Sequence, residues 1–249
     1  MIQVINRAFQ ILEYVARHKD RACSLSEIAE NMQLNQPTCA NILKTLTDAN
    51  YLEHLGRKKG YQLGPMIYQL TGDLSYNQNL LQVAKNEMEA LTGKLNETCI
   101  LGVLRNQKRF VIHTVNSDQD LQVRSRTERN IYETASGRVL MAFLPEKDLS
   151  ALINSIGLPS EENWKGLKTR KKLEDELALI RLKQMAVTLS PSHIVGLAVP
   201  IFKNNTVIAS LSIFLPESRY NVKGKADMII SSITDTAKRI IKQLEHVKT

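Results

Sequence analysis

The sequence predicts an α+β protein with a helical N-terminal part and a larger C-terminal part built on an antiparallel sheet. Three observations predict it. Two short amphipathic helices and a pair of strands fill residues 24–64. After Glu97 the apolar period changes from that of a helix to that of strands. Two apolar strands, Ile194 to Phe202 and Thr206 to Leu215, then flank the turn Lys203-Asn204-Asn205.

The N-terminal part opens with an amphipathic helix over residues 2–17, because apolar side chains recur on one face at Val4, Ala8, Ile11, Leu12 and Val15. A second helix is predicted from Leu25 to Met32, with Ser26 as its cap. We expect the first helix to pack across the helices that follow and to support them.

A tight turn, Gln33-Leu34-Asn35, separates the second helix from a third that runs to about Asp48. Asn35 is the predicted N-cap, and Pro37 stands in the first turn, where a missing N–H costs nothing. The inward face is predicted as Ile42, Leu43, Leu46 and Ala49, and the outward face as Gln36, Thr38, Cys39, Asn41, Lys44 and Thr45. Asn, Gln and Thr hydrogen-bond base edges in the major groove, which indicates a DNA-binding helix.

Two short strands follow, Tyr51 to Leu55 and Tyr61 to Leu63, around a glycine-flanked tip with three consecutive cations. Such a tip suits DNA phosphates. Helix, turn, helix and basic hairpin in this order predict a winged helix-turn-helix that binds a double-stranded DNA operator. The predicted DNA-binding residues are Gln36, Thr38 and Asn41 for base contacts, Lys44, Arg57, Lys58 and Lys59 for phosphate contacts, and Thr45 beside them.

The pair Gly64-Pro65 ends this domain, residues 1–64, and residues 65–81 are predicted as a linker helix whose apolar face favours pairing with a second copy. A helix from about Leu80 to Leu95 leads into the C-terminal domain, residues 82–249. Its other predicted strands are Cys99–Leu104, Phe110–Val115 and Leu121–Arg124, and its helices are Arg138–Phe143, Glu146–Ile156, Lys168–Gln184 and Lys225–His246.

Composition narrows the functional class. Of the 249 residues 43% are hydrophobic, enough for a proper core. The net charge of +8 and the pI of about 9.4 favour an anionic partner. Three scattered cysteines indicate a reducing compartment and no metal site. No run is apolar enough to span a bilayer and no signal peptide is recognisable, so we expect a cytoplasmic protein.

An enzyme is the main alternative from another functional class. The candidate catalytic residues are His113, Cys99, Glu97 and Glu133. His113 alternates within an apolar strand, and Cys99 has no partner base at motif spacing, so structural roles explain both better. The sequence has no phosphate-cradling glycine loop, serine-centred elbow or metal motif, and it therefore predicts neither catalytic residues nor a cofactor.

Five ordered segments make the chain similar to the IclR family of bacterial transcription regulators. They are RAFQILEYVA with LSEIAENMQLNQPTCANILKTL and YLEHLGRKKGYQLG; LTGKLNETCILGVL; ETASGRVLMAFLP; TRKKLEDELALIRLKQMAV; and VGLAVPIFKNNTVIASLSIFLP. The resemblance covers nearly the whole chain and implies a DNA-binding regulator, on our first hypothesis a repressor, that forms a homodimer or homotetramer. It further implies a GAF-like C-terminal domain that binds a small-molecule effector such as an organic or aromatic acid.

The sequence departs from the family's pattern in the DNA-binding helix. Pro37 stands where relatives often have Ser ahead of Thr38, and Asn41 stands where they often have Arg. We therefore expect an operator that differs from those of the arginine-bearing relatives.

The effector domain departs further. Gly196 stands at the usual Cys position, Phe214 replaces a pocket serine, and the loop after the long helix carries no acid. The resemblance implies effector contacts at Leu101, Ala135, Ser136, Gly137, Ile194, Gly196 and Ser212, and the backbone N–H groups after Ser136 suit a carboxylate. A ligand-independent DNA-binding regulator with a degenerate sensor domain stays open as the alternative.

Overall fold

The computed structural model describes residues 2–18, 21–56, 59–72 and 75–246. The chain forms two compact units, Met1–Tyr76 and Asn77–Thr249, each with its own buried apolar residues. The three-part division at residues 64 and 81 stays a prediction.

Within the described residues, the N-terminal unit contains helices around a two-stranded sheet. The elements are α1 (Gln3–Arg17), α2 (Leu25–Asn31), α3 (Gln36–Asp48), β1 (Leu52–His54), β2 (Tyr61–Leu63) and α4 (Pro65–Gly72). The two strands are antiparallel, with Glu53 opposite Gln62. This order confirms the helix-turn-helix followed by a hairpin.

The cap of α2 differs from the prediction. Ser24, not Ser26, is the N-cap, and its side chain accepts a hydrogen bond from the Glu27 backbone N–H at 3.2 Å. Glu27 follows Ser24 at the spacing of a capping box. The helix therefore begins after Ser24, and Ser26 lies inside its first turn.

The start of α3 is as predicted. Asn35 Oδ1 accepts a hydrogen bond from the Thr38 N–H at 2.8 Å, and Pro37 lies in the first turn.

Two face assignments in α3 are wrong. Cys39 is fully buried, because it lies three and four residues before the buried Ile42 and Leu43 and shares their face. Ala49 is exposed, because the helix ends at Asp48 and Ala49 is only its C-cap.

The apolar stripe of α1 is buried only in its C-terminal half. Ile11 and Val15 are in the core with Ile28 of α2 and Leu43 of α3. Val4 keeps 57% of its surface exposed, so the prediction of a fully packed stripe is wrong for the first turn of the helix.

The helix after α4 begins earlier than predicted. Among the described residues, Ser75–Leu95 form one helix, α5, which includes residues 80 and 81. The predicted break near residue 80 is therefore wrong.

The C-terminal unit is built on a six-stranded antiparallel sheet with strand order β5-β4-β3-β8-β7-β6. The strands are β3 (Thr98–Arg105), β4 (Lys108–Val115), β5 (Glu128–Asn130), β6 (Ala186–Leu189), β7 (Ile194–Lys203) and β8 (Thr206–Pro216). The helices, besides α5, are α6 (Ala135–Ala142), α7 (Glu146–Ile156), α8 (Arg170–Lys183), α9 (Glu217–Tyr220) and α10 (Lys225–His246). The α+β class is confirmed.

The two faces of this sheet carry different partners, because side chains alternate across it. Leu101, Leu197 and Ile213 pack with α5 and α10 in one apolar cluster. Ala198 packs with α6 and α8 in another. Both faces of the sheet are therefore buried by helices.

Two strand assignments change. Residues 121–124 form a loop with Leu121 exposed, and the strand that pairs with β4 is β5, where Arg129 lies opposite Arg109. The segment Ala186–Leu189, expected as a loop, is the edge strand β6 and pairs with β7. Strands of three and four residues show too little alternation to be identified from sequence.

Candidate DNA-binding face and ligand cavity

The outward face of α3 is centred on Asn41 and Lys44, which are both exposed. They lie opposite the buried Cys39 and Leu43 on the helix. In a helix-turn-helix, this exposed face of the second helix enters the major groove. The Asn41 amide can pair with adenine, and the Lys44 ammonium can bind guanine or a phosphate.

Three further predicted residues flank this centre. Thr45 Oγ1 donates a hydrogen bond to the Asn41 backbone carbonyl at 3.0 Å, so its hydroxyl proton is used within the helix. Gln36 Nε2 donates to Ser26 Oγ at 3.4 Å, and Thr38 is half-buried. The structure brings all five predicted residues of α3 together, with Asn41 and Lys44 exposed at the centre of the face.

The hairpin tip carries the predicted cations of the wing. Lys59 is exposed, and its backbone N–H donates to the Gly56 carbonyl at 3.0 Å. Gly60 follows with a φ of +91°, where an added Cβ would lie 2.4 Å from the Cys23 carbonyl oxygen. The predicted contacts of Arg57 and Lys58 lie outside the described residues.

A hydrogen-bonded network that the sequence analysis missed joins α1 to α2. Tyr14 donates to Glu27 Oε1 at 2.8 Å, and Arg21 binds both carboxylate oxygens of Glu27. The Arg21 guanidinium, followed by the Tyr14 hydroxyl, lowers the pKa of Glu27 to about 2. Glu27 therefore stays ionised and holds the supporting helix against the helix-turn-helix.

The C-terminal unit contains a narrow cavity of about 70 Å³ between the sheet and the loop after β4. Its lining residues are Arg109, Val123, Arg124, Ser125, Arg129, Glu133, Thr134, Thr188, Ser190, Ile194, Gly196 and Phe214. A wider cleft of about 530 Å³ shares Val123, Arg124 and Ile194 with it and extends past Leu121 and Pro216. The two spaces are therefore neighbours with common walls.

Of the effector contacts implied by the resemblance, Ile194 and Gly196 line the narrow cavity. Ser136 Oγ is instead hydrogen-bonded to Ser210 Oγ at 2.6 Å in the interior, and Ala135 packs in the cluster with α8. Ser212 Oγ is buried and has no hydrogen-bond partner.

Two of the implied contacts have structural roles. Leu101 packs on the opposite face of the sheet, against α5 and α10, so its assignment to the pocket is wrong. Because side chains alternate, its neighbour Gly102 faces the α6 side, where an added Cβ would meet Ser136 Oγ. Gly137 permits close packing, since an added Cβ would lie 2.1 Å from the Ile131 carbonyl oxygen.

Phe214 narrows the cavity from the β8 side. It lies directly opposite Gly196 in the β7–β8 ladder. A Cβ added at Gly196 would lie 3.0 Å from Phe214 Cε1 and 3.0 Å from Thr188 Oγ1. The ring therefore packs over the bare Gly196 backbone, and the glycine is what leaves room for it.

Arg109 is the residue of this cavity that sequence analysis missed. Its side chain is fully buried, with Nη1 donating to the Arg126 carbonyl at 3.0 Å and Nη2 to Ser125 Oγ at 3.2 Å. Its Nε has no hydrogen-bond partner. Burial lowers the pKa of Arg109 to about 10, helped by the charge of Arg129. The side chain therefore stays charged at neutral pH.

Three of the candidate catalytic residues, Glu97, Glu133 and Cys99, are held in ion pairs or buried in the interior. The buried Glu97 binds Arg219 through both carboxylate oxygens, at 2.8 and 2.7 Å. Glu133 pairs with Arg129 at 3.2 Å, and burial raises the pKa of Cys99. Among the described residues, no group of three or more His, Cys, Asp or Glu side chains is placed to hold a metal ion. No described helix is long and apolar enough to cross a membrane.

Sequence comparison matches both units to family models. Residues 4–56 match the IclR helix-turn-helix domain, and residues 74–242 match the bacterial transcriptional regulator IclR C-terminal domain. The HTH-type transcriptional regulator TtgV of Pseudomonas putida is 30% identical over 222 residues, which cover 88% of this chain and 83% of TtgV. KdgR of Escherichia coli is 23% identical, over 98% of this chain and 93% of its own.

Solved structures share the fold. The Thermotoga maritima IclR structure superposes with a TM-score of 0.70 at 23% identity and covers 98% of this chain and 99% of its own. An IclR homologue from Microbacterium hydrocarbonoxydans, solved in complex with 4-hydroxybenzoate, gives a TM-score of 0.71 at 21% identity, over 98% and 100% of the two chains. The chain therefore belongs to the IclR family, and it is a DNA-binding transcriptional regulator with an effector-binding C-terminal domain.

Proposed function

We propose that this regulator is a cytoplasmic, homo-oligomeric repressor without enzymatic activity. Asn41 contacts operator bases together with Gln36 and Thr38, with Thr45 beside them, and Lys44 contacts a phosphate. Lys59, with Arg57 and Lys58, contacts phosphates. The observation that carries this assignment is the exposed polar face of α3, opposite a fully apolar buried face. We take the homodimer as the smallest unit, since two copies on one two-fold axis match an operator with two half-sites.

The C-terminal unit is proposed to hold a small organic or aromatic acid in the narrow cavity and the cleft beside it. Arg109, Arg124 and Arg129 against Glu133 give these walls an excess of positive charge. A bound effector alters DNA affinity only if it has different affinities for two arrangements of the protein, and the effect is reciprocal.

The alternative, a ligand-independent regulator, is favoured by one observation. Phe214 fills the space over Gly196 and leaves a cavity of only about 70 Å³. This alternative predicts DNA affinity that is indifferent to metabolites.

A gel-shift experiment tests the proposal. The full chain is titrated into DNA from upstream of its own gene at fixed salt, with excess random competitor. We expect a specific complex, whose size by light scattering corresponds to an even number of chains. Equal affinity for random DNA, or binding by a single chain, would contradict it.

A further inference from the structure

The two edges of the six-stranded sheet differ in how they are protected. The β5 edge, Glu128–Asn130, carries a charge on two of its three residues, and Glu128 pairs with Lys108 at 3.1 Å. The β6 edge has the sequence Ala-Val-Thr-Leu and carries no charge. Soluble proteins normally protect an exposed strand edge with charged residues, because its free backbone groups can pair with another strand. The β6 edge is therefore the one that is open to a further strand.

The backbone groups that β6 presents outward belong to Val187 and Leu189. The Ser190 N–H donates to the Ile194 carbonyl at 2.9 Å and so points towards β7. Because hydrogen bonding alternates along an antiparallel strand, the groups of Thr188 also point towards β7, whereas those of Val187 and Leu189 point away from it. Within the described part of the chain, no backbone hydrogen bond outside the ladder involves either residue. Their N–H and C=O groups are therefore available to a partner.

Exposed apolar side chains follow the same edge. Val187 keeps 47% of its surface exposed and Leu189 keeps 57%, although their ladder partners, Leu197 and Val195, are buried. A groove of about 420 Å³ lies between α8 and this edge and is lined in part by Val187 and the half-exposed Leu179. Contiguous exposed apolar surface indicates a contact with another protein.

A second copy of the same strand fits this edge. Two antiparallel β6 strands related by a twofold axis at Thr188 place Val187 of each chain opposite Leu189 of the other. Both are then hydrogen-bonded pairs, in which the two residues exchange their N–H···O bonds. Their side chains lie on the same face of the sheet and pack against each other. The edge is therefore complementary to itself, as an isologous contact requires.

Pairing through β6 also closes the assembly. The continuous sheet that results ends at a β5 strand on each side, because β5 is the opposite edge of the sheet. These ends carry Glu128 and Arg129, and charged edge strands resist further pairing. A contact that uses the open edge once therefore gives a pair of chains instead of a fibre. The occupant with these properties is a second copy of the chain.

We propose that two C-terminal units associate through antiparallel pairing of their β6 strands around Thr188 and form one continuous sheet. The side chains of Val187 and Leu189 pack across the junction, and Leu179 of α8 extends the apolar contact beside it. This assignment rests on the proposed function, because it names the surface that holds the homo-oligomer together at its C-terminal units.

A cysteine at the twofold axis tests the pairing. Thr188 and its copy form a non-hydrogen-bonded pair, whose Cα atoms lie about 4.5 Å apart, within the range that a disulfide spans. The full chain with Thr188→Cys is treated with a mild oxidant and separated on a non-reducing gel. Glu128→Cys, on the opposite edge of the sheet, is the matched control for random collision, and the wild type controls for its own cysteines, which are buried.

We expect at least about tenfold more covalent dimer from Thr188→Cys than from Glu128→Cys, since only the first pair is held within disulfide distance. The wild type should give none under the same conditions. Reduction should return the Thr188→Cys protein to single chains on the gel.

Charges on the edge test the apolar contact. The double variant Val187→Lys with Leu189→Lys sets a lysine opposite a lysine in both pairs, which is unfavourable. Both positions are exposed, so the variant should keep the far-ultraviolet circular dichroism of the wild type. We expect light scattering to give half the mass of the wild type, and Thr188→Cys in this background to lose its covalent dimer. Leu158→Lys with Val222→Lys adds the same charge at exposed apolar positions elsewhere and should keep the wild-type mass.

Equal cross-linking of Thr188→Cys and Glu128→Cys would overturn the proposal, and so would a folded double-lysine variant with the mass of the wild type. The cross-linking result decides the matter even if the double-lysine variant does not fold. A wild type that binds its operator as an even number of chains, without cross-linking at position 188, rejects the β6 contact alone. Absence of operator-specific binding by the wild type rejects the proposed function.

Discussion

At the scale of single residues, the proposed DNA-binding face is centred on Asn41. Its side chain lies at the centre of the exposed face of α3, and only its backbone carbonyl is used by a neighbour, Thr45. An asparagine amide pairs with adenine through two hydrogen bonds that the other bases do not match. We therefore expect the Asn41 side chain to supply sequence preference rather than general affinity.

Asn41→Ala should weaken operator binding by about 1–3 kcal/mol and leave binding to random DNA nearly unchanged. Fluorescence anisotropy on both DNAs at one salt concentration measures the two losses. Asp48→Ala, on the same face at the far end of α3, is the matched control. Equal losses on operator and random DNA would remove Asn41 from the base-contacting face.

The pair Gly196 and Phe214 tests the packing that limits the narrow cavity. Gly196→Ala should destabilise the C-terminal unit by about 1–3 kcal/mol, because the new methyl overpacks the Phe214 ring. Phe214→Leu in the same chain should relieve most of this additional cost.

Urea unfolding of the two single variants and the double variant measures the coupling. Gly93→Ala is the control, since an added Cβ there meets nothing within 4 Å. Additive losses in the double variant would show that Phe214 is not what restricts position 196.

The resemblance to the family located part of the cavity. Gly196 and Ile194 were predicted as pocket residues and do line it. Arg109 was not predicted, because it lies just before the predicted strand Phe110–Val115, where an arginine is usually exposed, and its burial depends on the loop around Ser125. Leu101 was assigned to the wrong face, because a one-residue change in register moves a side chain to the other side of a sheet.

At the scale of elements, the contact between α1 and α2 depends on Glu27. Replacing this carboxylate in Glu27→Gln removes the charge that Arg21 and Tyr14 bind and should lower the melting temperature of the N-terminal unit. Glu13→Gln is the matched control, because the Glu13–Arg17 pair is 3.6 Å apart and exposed.

The pH dependence of this difference follows from the pKa. Folding lowers the pKa of Glu27 from 4.5 to about 2, so its contribution is present above pH 4.5 and is lost as the pH falls towards 2. Thermal unfolding monitored by circular dichroism should show a constant difference between wild type and variant from pH 8 to pH 6. A difference that shrinks in that range would contradict the assigned pKa.

The hairpin is proposed to act through phosphates alone. Lys59→Ala should weaken binding to operator and random DNA alike and reduce the slope of log affinity against log salt by about 1. Lys171→Ala, an exposed lysine of α8, is the control. An unchanged slope would mean that Lys59 does not contact a phosphate, and the triple variant with Arg57→Ala and Lys58→Ala would then test the rest of the tip.

Elements with local signals were predictable. The Asn35 cap, Pro37 and the apolar spacing of α3 are local and were confirmed. The short strands β5 and β6 were missed, since three or four residues carry little periodicity and their pairing depends on partners distant in sequence. The capping-box spacing of Ser24 and Glu27 was present in the sequence, but the cap of α2 was predicted at Ser26 instead of Ser24.

At the scale of the whole molecule, the order of the segments identified the family although no single segment was decisive. Both units match their family models, over residues 4–56 and residues 74–242. The net charge of +8 agrees with a DNA partner but does not locate the binding face, because cations are spread over both units. The operator and the effector depend on a few side chains, which vary among proteins of one fold.

Selection of binding sites from random double-stranded DNA by the full chain tests the central claim most directly. The account predicts an enriched motif of two related half-sites, spaced by about one helical turn, of 10–10.5 base pairs, or a multiple of it. The same selection with Asn41→Ala should lose the preference at one base pair in each half-site and keep the rest. Enrichment of no motif, or an identical motif with Asn41→Ala, would contradict the account that α3 reads the operator.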